Sequence, residues 1–340
     1  MSNPLLQITD LKVSAASAGR RVDIVRGVNL EVERGQALAL IGESGSGKSM
    51  TARCITKLLP RGFVIDGKVI FDGADVLAMQ APALRELRAR RVALITQDPR
   101  AGIDPLQTCG DALVEVIRTN LGLSRREATD KAAGLLREVG ILDTDRVMSC
   151  YPHQLSGGML QRILIAGAIA TGPDLLIADE PTTALDVTTQ AEIIELFKKL
   201  MASKGLAVIF ISHDLDLAAS LCSRVAVMYA GRLVEVSDTP TLFAAPRHPY
   251  TAGLLAARPK LHSRQLRLEA IPGRPPITAE MAPGCAFAPR CGFATARCHQ
   301  GLPPLTTPGR AADITNEVAC WRCDELDVVE GLATQGRGRG

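Results

Sequence analysis

Uninterrupted apolar runs recur along this chain and predict buried β-strands. The runs are Gln36 to Ile41, Val92 to Thr96, Leu175 to Ala178 and Val208 to Ile211. Continuous apolarity, in place of alternation, is typical of parallel strands that helices cover on both faces. Helical stretches such as Lys48 to Leu59 separate the runs. Strands that alternate with helices predict an α/β domain built on a parallel sheet.

Residues from about 98 to 170 have a predominantly helical pattern. The pattern from Asp111 to Gly140 is helical, Ser124 and Glu127 have the spacing of a capping box, and Gly140 is typical of a helix end. Ser156 opens a further helix that extends to about Ala170. We therefore expect a helical subdomain inserted into the α/β core.

The last part of the chain has a different composition. Val225 to Tyr229 and Arg232 to Val236 predict a hairpin. Beyond about Thr239 prolines are frequent and no long periodic pattern continues. The sequence predicts one domain at residues 1–240 and, at residues 241–340, an extension with little regular structure.

Charge and hydropathy argue against two classes of protein. The 340 residues carry a net charge of +3 and only 3% aromatic side chains, and the basic residues form no concentrated stripe. This distribution is unlike that of a nucleic-acid-binding protein.

The longest apolar stretch, Ile163 to Gly172, is shorter than the roughly 20 residues of a membrane-spanning helix, and the N-terminus lacks the pattern of a signal peptide. We expect a cytosolic protein that meets a membrane only through partners.

The segment from Gly42 to Ser49, Gly-Glu-Ser-Gly-Ser-Gly-Lys-Ser, matches a phosphate-binding loop at each fixed position. It follows a predicted strand and precedes a predicted helix, which is the context that this motif requires. Its backbone N–H groups and the helix dipole favour the binding of a phosphate anion. We expect Lys48 to reach the β and γ phosphates and Ser49 to ligate Mg2+. The predicted nucleotide contacts in this loop are Gly42, Ser44, Gly45, Ser46, Gly47, Lys48 and Ser49.

Two carboxylates follow the strand that ends at Ala178. Asp179 suits the Mg2+ shell, and Glu180 is placed to polarise the attacking water as a general base. A carboxylate pair at a strand end is often only a solvated turn, but the preceding phosphate loop favours the catalytic interpretation.

The octet from Leu155 to Arg162, Leu-Ser-Gly-Gly-Met-Leu-Gln-Arg, resembles the signature of the ABC ATPase family. An ordinary Ser N-cap would explain its serine but not the whole octet. The resemblance covers roughly Leu5 to Val236 and implies an ABC-type P-loop core with an α-helical subdomain and an antiparallel β subdomain. It also implies that ATP lies between two ATPase subunits. The signature residues expected to face the nucleotide of the opposite subunit are Ser156, Gly157, Gly158 and Gln161.

Three further positions match functional residues of that family. The resemblance implies that Gln97 touches Mg2+ or water and senses the transmembrane subunit, that Asp186 crosses the dimer interface, and that His213 contacts the γ-phosphate. Gln97, Glu180 and His213 are therefore the expected catalytic residues.

The aromatic residue on which this family stacks adenine is missing, because no Phe, Tyr or Trp precedes Phe63. We expect Arg20 or Arg21 to cover the adenine through a cation–π contact, with weak discrimination between bases.

Three local sequences resemble the dipeptide, oligopeptide and nickel importer branch of the family. They are Tyr151-Pro152-His153-Gln154, His248-Pro249-Tyr250-Thr251 and Ile271-Pro272-Gly273. The branch implies an ATPase at the cytoplasmic face of the inner membrane, with two permease subunits, a second ATPase subunit (more often a different chain) and an extracytoplasmic binding protein. Peptide is the first expectation for the cargo and nickel the second.

A non-transport ABC ATPase of translation or DNA repair is the alternative class. Such proteins usually carry two ATPase modules or long coiled coils, whereas this sequence has one phosphate loop and no sustained heptads. The transporter interpretation is therefore favoured.

Nine cysteines in a cytosolic protein are expected to be thiols or metal ligands, not disulfides. Cys54, Cys109, Cys150 and Cys222 lie among apolar neighbours and are expected in the core. Related importer ATPases carry a four-iron four-sulfur (4Fe-4S) cluster in such an extension, and four thiolates also suit Zn2+, which is the alternative. The cysteines that match are Cys285, Cys291, Cys298 and Cys320, with Cys323 as a rival for the fourth position.

Overall fold

The computed structural model describes residues 3–17, 20–183, 185–258, 271–276, 283–308 and 316–325. The strands are β1 (Leu6–Ser17), β2 (Arg20–Val32), β3 (Ala37–Ile41), β4 (Phe63–Phe71), β5 (Ala74–Asp75), β6 (Val92–Ile95), β7 (Leu175–Asp179), β8 (Ala207–Ser212), β9 (Arg224–Tyr229), β10 (Arg232–Asp238) and β11 (Glu317–Val318). The α-helices are α1 (Lys48–Ile55), α2 (Ala81–Glu86), α3 (Cys109–Leu121), α4 (Arg125–Glu138), α5 (Thr144–Ser149), α6 (Gly157–Ile169), α7 (Val187–Lys204), α8 (Leu215–Leu221), α9 (Thr239–Ala244), α10 (Pro249–Ala256) and α11 (Ala296–Gln300).

Within the described residues, the main sheet has seven strands in the order β11-β10-β9-β3-β8-β7-β6. The strands from β9 to β6 are parallel, and β10 and β11 add antiparallel pairs at one edge. On β3, Leu38 and Leu40 belong to one cluster of buried side chains, whereas Ala39 and Ile41 belong to another. Both faces of the strand are thus covered, which explains why its sequence is apolar without alternation.

A second sheet is antiparallel, with strand order β2-β1-β4-β5. Its buried side chains, including Leu6, Ile8 and Val28, pack in the same cluster as Leu38 of the main sheet. The hydrophobic pattern did not predict β1 and β2. Their pairing shifts register between Ile8 and Leu11 and again further along, and each shift interrupts the alternation of apolar and polar residues.

The helical subdomain consists of α3 to α6, inserted between β6 and β7. Both bonds of the predicted capping box are present: the backbone N–H of Glu127 donates to Ser124 Oγ (3.3 Å), and the N–H of Ser124 donates to Glu127 Oε2 (2.9 Å). The stretch from 111 to 140 forms two helices: α3 ends at Gly122, which adopts a left-handed conformation, and α4 begins after Ser124. No helix among the described residues is both long and apolar enough to cross a lipid bilayer.

The described part of the extension has more regular structure than the sequence predicts. It contains α9, α10 and α11, and β11 pairs with β10 of the main sheet. Its side chains Leu242, Tyr250 and Phe287 belong to the same buried cluster as Phe210 of β8. These residues therefore share the core of residues 1–240 and do not form a core of their own.

Candidate nucleotide-binding site

The phosphate loop joins the carboxyl end of β3 to the first residue of α1, Lys48. Gly42 and Gly47 both have positive φ (149° and 104°). A Cβ at Gly42 would lie 2.1 Å from the carbonyl oxygen of Met228, and one at Gly47 would lie 2.8 Å from Met228 Cε. The loop thus packs directly on the end of β9, in a conformation that only glycine permits at these positions.

Lys48 reaches back into this loop. Its Nζ donates to the carbonyl oxygens of Gly42 (2.8 Å) and Glu43 (3.1 Å), and the residue is only 6% exposed. Burial lowers the pKa of Lys48, and the carboxylates of Glu180, Asp179 and Glu43 partly oppose this effect. A buried ammonium beside glycine N–H groups at a helix N-terminus is a suitable environment for a phosphate anion.

Ser49 and Asp179 form a pair of hard oxygen ligands next to Lys48. The hydroxyl of Ser49 donates to Asp179 Oδ1 at 3.0 Å. Burial raises the pKa of Asp179, and the hydrogen bond from Ser49 partly opposes the shift. A buried carboxylate with a hydroxyl beside it is the kind of donor set that Mg2+ prefers, so these residues fit the predicted metal.

Glu180 is the centre of a polar cluster. Its Oε2 accepts hydrogen bonds from Gln97 Nε2 (2.8 Å) and Thr183 Oγ1 (3.0 Å), and His213 Nδ1 lies 3.5 Å from the same oxygen. The φ of Glu180 is 50°, an uncommon conformation for a residue with a side chain, and its N–H donates to Ile211 of β8. The structure therefore brings together the three predicted catalytic side chains.

Thr183 is a member of this cluster that sequence reasoning missed. It follows Glu180 by three residues, and its hydroxyl orients the carboxylate. The short Pro181-Thr182-Thr183 turn after the two acidic residues was the available signal.

The signature residues form a second cluster at the neighbouring N-termini of α6 and α7. Ser156 caps α6 by accepting from the N–H of Met159 (3.3 Å). Asp186 caps α7 by accepting from the N–H (3.0 Å) and hydroxyl (2.7 Å) of Thr189, and these bonds lower the pKa of Asp186. A Cβ at Gly158 would meet Thr189 Cγ2 at 2.6 Å, so the close approach of the two helices requires glycine. Ser156, Gly157 and Asp186 are exposed.

Gln161 differs from the other signature residues. It lies one turn into α6 and is fully buried, with neither side-chain polar atom hydrogen-bonded to another described residue. Gln161 therefore does not belong to the exposed surface formed by Ser156 and Gly157.

Arg21, one of the two residues expected to cover adenine, pairs with carboxylates instead. Its guanidinium lies 2.7 Å from Asp66 and 3.6 Å from Asp23. The side chain of Arg20, the other candidate, lies outside the described residues. The adenine contact stays a prediction.

The parallel sheet, the phosphate loop and the Ser49–Asp179 pair define a P-loop nucleotide hydrolase. The ABC transporter family matches residues 25–183, and the family described as the oligopeptide/dipeptide transporter C-terminal region matches residues 234–298. A probable peptide ABC transporter ATP-binding protein of Sinorhizobium fredii is 45% identical, covering 96% of this chain and 98% of its own length. The chain belongs to the ABC transporter ATPases.

Further comparisons support the same family and fold. A probable D,D-dipeptide transport ATP-binding protein of Escherichia coli is 44% identical, covering 94% of this chain and 97% of its own length. The dimeric cassette MJ0796, solved in a post-hydrolysis state with ADP and Pi, superposes with a TM-score of 0.62 at 26% identity, covering 69% of this chain and 98% of that one. The predicted fold class is confirmed.

The predicted 4Fe-4S cluster, and Zn2+ as its alternative, are wrong. Among the described residues no group of three or more His, Cys, Asp or Glu side chains is arranged to hold a metal ion. The relatives are named as peptide transport ATP-binding proteins, not as iron–sulfur proteins. Cys285, Cys291, Cys298 and Cys320 line one cavity, but as free thiols.

Backbone hydrogen bonds and side-chain packing connect the segments that contain these cysteines. Burial raises the pKa of Cys291 to about 11 and that of Cys320 to about 12. The N–H of Cys285 donates to the carbonyl of Cys298 (2.7 Å), and Arg297 stacks over Trp321 at 3.8 Å.

Proposed function

We propose that this chain is the ATP-hydrolysing subunit of a peptide importer. The observation that carries the proposal is that Gln97, Thr183 and His213 converge on one oxygen of Glu180. Glu180 directly follows Asp179, which accepts the hydrogen bond from Ser49. Binding alone does not require an oriented carboxylate with three polar neighbours, whereas activation of a water does.

In this proposal the phosphate loop and Lys48 bind the β and γ phosphates. Ser49 and Asp179 hold Mg2+, which neutralises phosphate charge when it is bound. The fit is supported by the loop geometry at Gly42 and Gly47, where any Cβ would clash with Met228. Ser44, Gly45 and Ser46 complete the loop that surrounds the phosphates.

Glu180 accepts the proton of the attacking water. Gln97 and Thr183 hold its carboxylate through their hydrogen bonds. His213, which is 64% exposed, lies beside the same oxygen and can reach the γ-phosphate from the open side of the site. Orientation of the base by these neighbours is the contribution of the protein to the chemical step.

ATP binding joins two ATPase subunits in this proposal. Ser156, Gly157 and Gly158 present a capped helix N-terminus that suits the γ-phosphate bound by the opposite subunit. Asp186, exposed at the start of α7, contributes to the same interface. Gln161 is fully buried in the subunit, so we leave it out of the proposed nucleotide contacts.

The peptide cargo is supported by the names of the relatives and by the match to the oligopeptide/dipeptide transporter C-terminal region. The proposed assembly has two permease subunits, a second and different ATPase subunit, and an extracytoplasmic binding protein. The chain then lies on the cytoplasmic face of the inner membrane.

The test is purification of the chain with its co-purifying membrane proteins, reconstitution into liposomes, and measurement of ATP hydrolysis with the binding protein and either tripeptides or Ni2+. We expect peptide, but not Ni2+, to stimulate hydrolysis and to accumulate inside the liposomes. Ribosomal or DNA-repair proteins as the only partners would refute transport, and stimulation by Ni2+ alone would refute the peptide cargo.

A further inference from the structure

The second residue of the phosphate loop, Glu43, contacts the C-terminal extension at two points. Its carboxylate receives two parallel hydrogen bonds from Arg290, Nη1 to Oε2 at 2.7 Å and Nη2 to Oε1 at 3.0 Å. Its backbone N–H donates to the hydroxyl of Tyr250 at 2.8 Å. Position 43 is variable in the phosphate-loop motif, so the motif itself does not explain these contacts.

Arg290 is held in place by the extension and by β9. Its side chain is 6% exposed, its Nε donates to the carbonyl of Pro272 (2.8 Å), and its Nη1 also donates to the hydroxyl of Tyr229 (3.2 Å). The guanidinium lies over the rings of Tyr229 and Phe287 at 5.8 and 5.9 Å. A planar guanidinium fixed in this way holds a carboxylate in one orientation, which a lysine cannot do.

Glu43 also connects these contacts to the lysine of the site. Its carbonyl oxygen accepts from Lys48 Nζ (3.1 Å) and from the N–H of Ser46 (3.2 Å). Arg290 thus contacts the side chain of Glu43, Tyr250 contacts its backbone N–H, and Lys48 contacts its carbonyl oxygen. A rotation of Glu43 would move the peptide groups that face the phosphates.

We propose that Arg290 is a positioning residue for ATP binding, which acts through Glu43 and makes the C-terminal extension a structural part of the nucleotide site. Arg290 neutralises the Glu43 carboxylate and holds it toward the extension. Without Arg290 that negative charge is unpaired next to the position of the phosphates, where it repels them.

The inference rests on the proposed role of the phosphate loop in ATP binding, but not on the proposed cargo. The test uses the full chain and measures the Kd of a fluorescent ATP analogue with Mg2+, together with the KM for ATP and kcat. We expect Arg290→Met to raise Kd and KM about tenfold or more, with kcat at saturating ATP within about twofold of wild type. Arg290→Lys should lie between the two, because it keeps the charge and loses the paired geometry.

The double variant Arg290→Met with Glu43→Gln separates positioning from general destabilisation. Because it removes the unpaired carboxylate as well, it should return Kd to within about threefold of wild type. Arg258→Met is the matched control. Arg258 is also in the extension, pairs with Asp216 and stacks on Phe243 at 4.7 Å, but its described contacts do not include the phosphate loop.

Two results would overturn the inference: a Kd for Arg290→Met within twofold of wild type at unchanged Tm, or a double variant that binds ATP as weakly as Arg290→Met. If Arg290→Met does not fold, Arg290→Lys decides, and an unchanged Kd in that variant overturns the inference. If the transport proposal is wrong, the wild type shows no peptide-stimulated hydrolysis, but the ratios of Kd between the variants and the wild type are unchanged.

Discussion

Glu180→Gln tests the catalytic cluster most directly. The amide is nearly isosteric with the carboxylate and keeps one oxygen to accept from Gln97 or Thr183, so the cluster loses little more than its charge. General base catalysis contributes about a hundredfold to ten-thousandfold, which corresponds to about 3 to 5 kcal/mol of activation free energy. We expect kcat for ATP hydrolysis to fall by that factor.

ATP binding should survive the same change. The hydrogen bonds of Lys48 and Ser49 run to Gly42, Glu43 and Asp179, and none of them involves Glu180. Removal of a negative charge near the phosphates should leave the Kd for ATP equal or lower. If hydrolysis opens the proposed dimer, Glu180→Gln mixed with the second ATPase subunit and Mg-ATP should elute as a stable dimer in size-exclusion chromatography.

Steady-state hydrolysis at saturating ATP, which gives kcat, and equilibrium binding are the two assays. The control is Glu195→Gln, an exposed glutamate of α7 that pairs with Lys198 at 2.8 Å and should leave both quantities unchanged. A kcat for Glu180→Gln within threefold of wild type would refute the assignment of Glu180 as the base. A large loss of ATP binding would refute the separation of binding from catalysis.

Three further changes have defined outcomes. Gly42→Ala should weaken ATP binding more than about tenfold and lower the free energy of unfolding by about 2 kcal/mol or more, because its Cβ would lie 2.1 Å from the Met228 carbonyl oxygen. Asp179→Asn should raise the Tm of the nucleotide-free subunit at pH 7. Burial raises the pKa of Asp179, so its ionisation destabilises the fold as pH rises above the ordinary carboxyl pKa of about 3.9. Glu235→Ala should cost about 2 kcal/mol or more in denaturant unfolding, because Glu235 accepts from the N–H groups of Arg247 and His248 and these would lose their partner.

Each of these outcomes has a result that contradicts it. Gly42→Ala with wild-type affinity would mean that the loop tolerates a different conformation. The Tm gain of Asp179→Asn should disappear as pH falls toward 4, and a gain that persists there would exclude ionisation as its cause. Glu235→Ala with unchanged stability would mean that Glu235 does not anchor the start of α10.

The local motifs allowed most of the site to be predicted, because their chemistry depends on short segments. The loop from Gly42 to Ser49 has fixed spacing, and Asp179 and Glu180 follow a strand directly, so their positions needed no knowledge of distant contacts. Gln161 shows the limit of a motif. Its place in the signature suggests a nucleotide contact, but Gln161 is fully buried, and whether a given face of a helix is buried depends on what packs against it.

Proline explains why the extension was predicted to lack regular structure. Pro240 and Pro249 lie in the first turns of α9 and α10, where the missing N–H costs nothing and the fixed φ favours a helix. Frequent prolines beyond residue 239 favour a prediction of loops, but Pro249 is the first residue of α10 and Pro240 is the second residue of α9. The contacts between Arg290 and Glu43 join residues 247 positions apart, and no local pattern indicates such a pairing.

The pairing of β11 with β10 has a consequence for synthesis on the ribosome. Strand β10 is made well before β11, so until Glu317 and Val318 leave the ribosome its outer edge has no partner from the extension. Exposed strand edges are sites of aggregation during folding. Shielding of this edge until β11 has been made would therefore favour a high yield of folded ATPase.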